Sequence, residues 1–167
     1  MEFGLEKENP CIEGEVVVNA KIDEVWKAWT TEAGVKSFFS PDCKIELKVG
    51  GKYEMYFDPS QKKGSRGGEG VRIMAFHEPC MLSFSWNAPP HMPSIRKQFT
   101  HVTVRLQKSG KTKTLVQLFH DGWGSGPEWI AAFKYFQRAW LEIVLPRLKH
   151  RFSTGPIDWD NPPEIGK

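Results

Sequence analysis

Cysteine is scarce in this chain of 167 residues, which contains only Cys11, Cys43 and Cys80. The three cysteines lie far apart, and no Cys-x-x-Cys pair occurs. This pattern argues against a disulfide framework, which needs cysteines in pairs, and against a structural zinc site, which needs them closely spaced. Unpaired cysteines are typical of a reducing compartment, so we expect a cytoplasmic protein.

Long apolar runs are missing too, and neither sign of charge dominates. No stretch reaches the roughly 20 apolar residues that a membrane-spanning helix needs. Residues 1–10 are charged and contain no apolar segment, so we expect no signal peptide. The 23 basic and 20 acidic residues leave a net charge of +3, which does not indicate nucleic-acid binding. We therefore expect neither a nucleic acid nor a membrane as a partner.

The sequence also contains no short catalytic or metal-binding motif. There is no Gly-x-Ser-x-Gly and no His-Glu-x-x-His. The glycine-rich stretch 64–68 does not lie between a strand and a helix, as a phosphate-binding loop must. The five histidines are scattered singly. We expect no metal and no cofactor, and no catalytic residue can be assigned.

Aromatic residues, by contrast, are abundant. Seven tryptophans and eleven phenylalanines contribute to a hydrophobic content of 40%, which is enough for the core of one domain of this length. Large rings pack cores well, but they also line apolar cavities. The excess of rings predicts that some of them face a cavity.

The order of elements follows from the hydrophobic period. A first strand covers residues 13–20, and Ile22, Val25, Trp26 and Trp29 then recur at helical spacing. A second short helix begins at Thr31 and ends near Phe39. Between Ile45 and His120 the period is two, which predicts six more strands joined by short turns.

A long helix is predicted from Pro127 to Phe152. Its apolar stripe consists of Trp129, Phe133, Phe136, Trp140, Val144 and Leu148. Pro146 removes one backbone hydrogen bond and should bend this helix near Glu142.

These elements predict an α+β fold, in which a curved antiparallel sheet of six to seven strands surrounds the long C-terminal helix. Consecutive antiparallel strands form a meander, and only the last helix is long enough to cover its apolar face. The two short helices after the first strand are expected to close one end. We divide the chain into an N-terminal extension (1–12), one domain (13–152) and a C-terminal tail (153–167).

Four segments carry a family resemblance. They are IDEVWKAWTT (22–31), KVGGKYEMYF (48–57), FHEPCMLSFSW (76–86) and FQRAWLEIVLPRL (136–148). In this order they resemble the activator-of-heat-shock-ATPase homologue family, within the START-like or SRPBCC superfamily of helix-grip folds. The resemblance implies the fold, whereas ligands differ among members. In the two-domain eukaryotic activators a domain of this type contacts the chaperone ATPase, so a chaperone contact is kept here as an alternative.

The predicted site is the gap between the curved sheet and the long helix. We expect its apolar wall to come from both elements and from the end of the second short helix, with the alternative that any of these rings is ordinary core. The residues of this wall are Phe38, Phe39, Met55, Phe57, Ile73, Phe84, Trp86, Phe133, Phe136 and Trp140. His120 shares a strand face with Val116 and Leu118 and could orient a ligand, act as an acid or base, or be a hydrogen-bonded core histidine.

Three functions are compatible with these features. The first is binding of a small hydrophobic molecule without catalysis. The second is a cyclase or hydrolase that uses the same cavity, with His120 as the acid or base and Arg72 or Glu54 as helpers. The third is an interaction module, including a chaperone partner, supported by Trp159 in the tail and by the basic loop at residues 62–66. A homodimer remains an open alternative.

Overall fold

The computed structural model describes residues 9–165. Its elements in chain order are β1 Ile12–Val18, α1 Ile22–Thr30, α2 Glu32–Lys36, β2 Asp42–Ile45, β3 Tyr53–Tyr56, β4 Ile73–His77, β5 Met81–Trp86, β6 Thr100–Lys108, β7 Thr114–Asp121, α3 Pro127–Arg138 and α4 Leu145–Ser153. A π-helical segment, Ala139–Val144, joins α3 to α4. This order confirms the predicted α+β fold with a long C-terminal helix. The predicted extension 1–12 falls mostly on residues outside the described range, and β1 begins at its last residue, Ile12.

The strands form one antiparallel sheet of five and a separate hairpin of two. The order in the large sheet is β1-β7-β6-β5-β4, and β2 pairs with β3. The predicted strand number is thus confirmed, but the strands do not form a single sheet. The hairpin meets β4 through irregular backbone bonds, such as Tyr53 N to Val71 O at 3.0 Å and Ile73 N to Gly51 O at 2.9 Å. A register shift between Ile73 and Ala75 interrupts the ladder beside them, and such a bulge bends a strand.

The two short helices form where the sequence predicts them. Ile22, Val25, Trp26 and Trp29 are buried on one face of α1. Thr31 starts α2, because its hydroxyl oxygen accepts the backbone N–H of Gly34 at 3.0 Å.

The helix from α3 to α4 packs its aromatic stripe inward. All six predicted stripe residues are buried, and Lys134, Gln137, Arg138 and Glu142 on the other side are exposed. The predicted irregularity takes the form of the π-helical segment. Pro146 has no amide hydrogen for the carbonyl of Glu142, so the normal bonding pattern cannot continue there.

The inner face of the sheet alternates strictly on β7. Thr114, Val116, Leu118 and His120 are buried, and the residues between them are less so. The strand lies between β1 and β6, inside the sheet. After α4, the tail lies against its own domain: Ile157 is buried, and its N–H donates to Ser37 O at 2.9 Å. Within residues 9–165, no helix is both long and apolar enough to cross a membrane.

Candidate functional site

Aromatic rings fill one end of the interior, and Phe39 lies at their centre. Phe39 follows α2 and is 1% exposed. Its ring centroid lies 5.9 Å from Trp86, 5.6 Å from Trp140 and 5.9 Å from Phe57. Tilted and edge-to-face contacts at this spacing are the favoured ring geometries. The end predicted to be closed by the second short helix is therefore packed with rings.

Two adjoining clefts open beside this cluster, between the C-terminal helix and the loop that follows β3. The first, here called the helix cleft, has a volume of about 240 Å³ and is lined by Phe39, Phe57, Trp86, Tyr135, Phe136, Ala139, Trp140, Ile143, Val144 and Arg147. The second, the loop cleft, has a volume of about 360 Å³ and is lined by Phe57, Asp58, Gln61, Ser65, Arg66, Gly67, Gly68, Trp86, Asn87, Pro89, Pro90, His91, Tyr135 and Phe136. Four aromatic residues, Phe57, Trp86, Tyr135 and Phe136, line both clefts and form their shared wall.

The predicted wall residues divide into two groups in the structure. One group lines the clefts: Phe39, Phe57, Trp86, Phe136 and Trp140. Phe57 directly follows the end of β3 at Tyr56 and lies at the mouth of both clefts, since Phe57 is 43% exposed. The other group is buried away from both clefts: Phe38, Met55, Ile73, Phe84, His120 and Phe133.

Ring packing explains why the second group does not reach the open space. Phe38 meets Trp29 at 5.0 Å, and Tyr53 meets Phe84 at 4.5 Å. These contacts fill the volume directly beneath the sheet. The open volume lies instead at the rim, where the loop after β3 approaches the C-terminal helix.

Five lining residues of the helix cleft were not predicted as site residues: Tyr135, Ala139, Ile143, Val144 and Arg147. Val144 belongs to the buried stripe that contains Phe136 and Trp140, whereas the other four are spaced by four residues and lie next to that stripe. A helical projection places this row at the border of the apolar face. The helix period could therefore have indicated this row, but residues at the border of an apolar face are equally compatible with exposure to solvent.

A hydrogen-bonded network around Arg96 supports one wall of the loop cleft. Its guanidinium donates to Ala88 O at 2.6 Å and to Gly67 O at 2.7 Å, and it lies 3.5 Å from a carboxylate oxygen of Glu69. Burial lowers the pKa of Arg96, and the negative charge of Glu69 opposes this effect. Glu69 also accepts the backbone N–H of Arg66 at 2.7 Å. The wall of the loop cleft is thus a fixed structure.

His120 is buried in a complete hydrogen-bond network. The Trp140 indole donates to His120 Nδ1 at 3.0 Å, and His120 Nε2 lies 2.7 Å from the hydroxyl of Thr100. Burial, with a smaller contribution from the nearby His101, lowers the pKa of His120 to about 3. Both ring nitrogens are occupied, and neither Glu54 nor Arg72 is among their partners. A neutral, fixed imidazole of this kind is a structural group.

A serine, a histidine and an aspartate meet on the outer face of the sheet. Ser83 Oγ lies 2.5 Å from His101 Nε2, and His101 Nδ1 lies 3.0 Å from Asp121 Oδ1. The three residues lie on β5, β6 and β7 and come together through the pairing of these strands, so no short sequence motif predicts the group. The arrangement resembles a nucleophile–base pair, but neither cleft includes any of its members. Within residues 9–165, no three His, Cys, Asp or Glu side chains are grouped as they would be around a metal ion.

Comparisons with known proteins agree with the fold. An HSP90 activator from Plasmodium falciparum is 16% identical over 81% of this chain and 90% of its own, with a TM-score of 0.60. The Aha1 dimer from Colwellia psychrerythraea is 17% identical over 87% and 97%, with a TM-score of 0.62. CalU16 from Micromonospora echinospora is 20% identical over 90% and 79%, with a TM-score of 0.60. At these identities the likeness concerns the fold alone.

A comparison with curated proteins found no match. One family profile does match, and it extends from residue 19 to residue 153. That range includes both short helices, β2 to β7 and the whole C-terminal helix. This chain therefore belongs to the family described as activator of Hsp90 ATPase homolog 1-like proteins.

Proposed function

We propose that this protein binds a small apolar molecule between the C-terminal helix and the loop after β3. The observation that carries the proposal is the aromatic wall shared by the two clefts, formed by Phe57, Trp86, Tyr135 and Phe136. Two of these side chains, Phe57 and Tyr135, are each 43% exposed. Partly exposed rings above a buried aromatic floor lose unfavourable contact with water when an apolar ligand covers them.

The chemistry around the helix cleft favours binding over catalysis. Of the residues lining the helix cleft, nine are apolar or aromatic and one is a cation. His120, the predicted acid or base, is neutral and has both nitrogens occupied. A site with an apolar wall and few polar groups is typical of pockets that hold and orient a ligand.

Binding of a neutral aromatic probe tests this proposal. Isothermal titration with 2-(1-naphthyl)ethanol should give saturable binding of one molecule per chain. Ala139→Leu places a larger side chain in the helix cleft and should weaken this binding by roughly tenfold, since it removes the volume that the probe occupies. Ala131→Leu is the matched control, because Ala131 is exposed on the same helix and lines neither cleft.

The two variants distinguish binding at a specific site from non-specific binding to apolar surfaces. The proposal predicts weaker binding to Ala139→Leu and wild-type binding to Ala131→Leu. No saturable binding of the probe by the wild-type chain, or an equal loss in both variants, would overturn it.

A second candidate function is contact with an Hsp90-type chaperone. It is supported by the description of the family and by the Plasmodium falciparum protein, which is described as an HSP90 activator. The test is the ATP hydrolysis rate of a purified Hsp90 with and without this chain. A higher rate supports the candidate, and an unchanged rate with no complex in size-exclusion chromatography removes it. The same chromatography, run on this chain alone, decides between a monomer and a homodimer.

A further inference from the structure

The helix cleft contains a single charged side chain. Arg147 lies in α4 and borders the cleft beside Trp140 and Val144. It lies one turn before His150 and Arg151 in α4, where basic residues complement the helix dipole, but the dipole does not account for a cation in the lining of the cleft. Its position in an otherwise apolar lining therefore needs another explanation.

Arg147 has no anionic partner within residues 9–165. The guanidinium makes no salt bridge there, and its side chain takes part in no hydrogen bond among those residues. Arg96, by contrast, has carbonyl and carboxylate acceptors around its guanidinium. A guanidinium has five N–H donors arranged as a fork that matches a carboxylate. In Arg147 this fork has no acceptor among the described residues, 9–165.

The tail holds Arg147 in place. The guanidinium carbon lies 5.3 Å from the ring centroid of Trp159, a cation–π contact. The Trp159 indole in turn donates to Lys36 O at 2.7 Å. Burial lowers the pKa of Arg147 from its ordinary value, yet a guanidinium stays protonated in proteins. The result is a partly desolvated, positioned cation at one end of an aromatic cleft.

We propose that the ligand of the helix cleft is an amphipathic carboxylate, with an aromatic or aliphatic body on the shared wall and its carboxylate paired with Arg147. This inference rests on the proposed binding function and names the chemical class of the ligand. A single guanidinium matches one carboxylate through two parallel hydrogen bonds. The apolar remainder of the lining matches the rest of the molecule.

A pair of probes that differ only in charge tests the inference. Isothermal titration compares 1-naphthylacetate, an anion, with 2-(1-naphthyl)ethanol, its neutral counterpart. We expect the wild-type chain to bind the anion roughly tenfold more tightly, as a charge-assisted bidentate pair allows. Arg147→Met should remove this preference, so that the ratio of the two affinities falls to about one, because Met keeps the apolar stem of the side chain but has no N–H donor for the carboxylate.

Two further variants make the result specific. Arg138→Met is the matched control on the exposed side of the same helix, where Arg138 pairs with Glu142, and it should keep the full preference. Arg147→Lys keeps the charge but loses the fork, so it should keep only part of the preference. If circular dichroism shows that Arg147→Met does not fold, the preference measured for Arg147→Lys tests the inference in its place.

The outcomes separate this inference from the proposed function. If the wild-type chain binds neither probe, the proposed function itself fails. If it binds both equally, or if Arg147→Met and Arg147→Lys keep the wild-type preference, the cleft binds apolar molecules but Arg147 does not select an anion. In that case the inference is wrong and the proposed function stands.

Discussion

Trp140 donates its indole N–H to Nδ1 of His120 at 3.0 Å. An indole can only donate, so Nδ1 carries no proton and Nε2 does. The proton on Nε2 is directed to the hydroxyl of Thr100, which lies 3.3 Å from the carbonyl of Trp86 and donates to it. This chain of hydrogen bonds fixes the tautomer of His120 and links the C-terminal helix to three neighbouring strands.

Acid should therefore destabilise the fold through His120. Burial lowers its pKa to about 3, from 6.5 in a solvated chain. Because the folded state binds this proton less readily than the unfolded state, the stabilisation is complete above pH 6.5. It is lost as the pH falls from that value towards 3, at up to about 1.4 kcal/mol per pH unit. We expect urea denaturation to give a lower free energy of unfolding at about pH 5 than at about pH 7.5.

Two histidine variants identify the source of this pH dependence. His120→Gln cannot titrate, so its free energy of unfolding should fall less between the same two pH values, although it starts from a lower value. His77→Gln changes an exposed histidine and should keep the wild-type slope. A slope in His120→Gln equal to that of the wild type would contradict the assignment.

Truncation of Phe39 should mainly reduce stability, whereas truncation of Phe57 should mainly reduce ligand binding. Phe39 is 1% exposed at the centre of the ring cluster, so Phe39→Ala should cost about 3–5 kcal/mol of stability. Phe57 is 43% exposed at the mouth of both clefts, so Phe57→Ala should cost about 1 kcal/mol or less while weakening the binding of 2-(1-naphthyl)ethanol. Urea denaturation and isothermal titration measure the two effects. Equal losses of stability would show that both rings are core.

The fold was predictable because its elements carry local periods. The stripe from Trp129 to Leu148 repeats at helical spacing, and on β5 the apolar residues Leu82, Phe84 and Trp86 alternate with serines. Such patterns depend only on neighbours along the chain. The division of the strands into two sheets was not predictable, since it depends on a bulge at Met74 and on how the hairpin meets β4.

The candidate site was predictable only in part. Phe39, Trp86 and Trp140 are apolar residues on the inner faces of their elements, as the periods indicate. Whether such a ring lines a space or fills it depends on the volumes of its neighbours, which no period encodes. The same limit applies to Arg147, whose guanidinium contacts the ring of Trp159 in the tail. Ser83 and His101 came together through strand register, which a single sequence does not fix.

The serine–histidine–aspartate group on the outer face should be inactive as a nucleophile. Ser83 is 6% exposed and lies in the middle of a paired strand, outside both clefts. A nucleophilic serine also needs a place for the substrate and donors for the developing oxyanion. We expect a fluorophosphonate probe to leave Ser83 unlabelled in a mass-spectrometric digest, and Ser83→Ala to leave any ester hydrolysis unchanged. Stoichiometric labelling of Ser83 would instead identify a hydrolase site here.

The tail should be held to the domain mainly by Trp159. Its indole N–H donates to Lys36 O, a bond worth about 1 kcal/mol, and its ring contacts Arg147, worth about 0.5–1 kcal/mol. Trp159→Ala should therefore weaken docking of the whole segment, and the N–H of Ile157, which donates to Ser37 O, should exchange faster with deuterium. Asp160→Ala, at an exposed neighbour, is the control and should leave exchange at Ile157 unchanged. Because Arg147 would lose its contact ring, Trp159→Ala should also reduce the preference for 1-naphthylacetate. If the Ile157 amide kept its protection against exchange, burial of the Ile157 side chain alone would be enough to hold the tail.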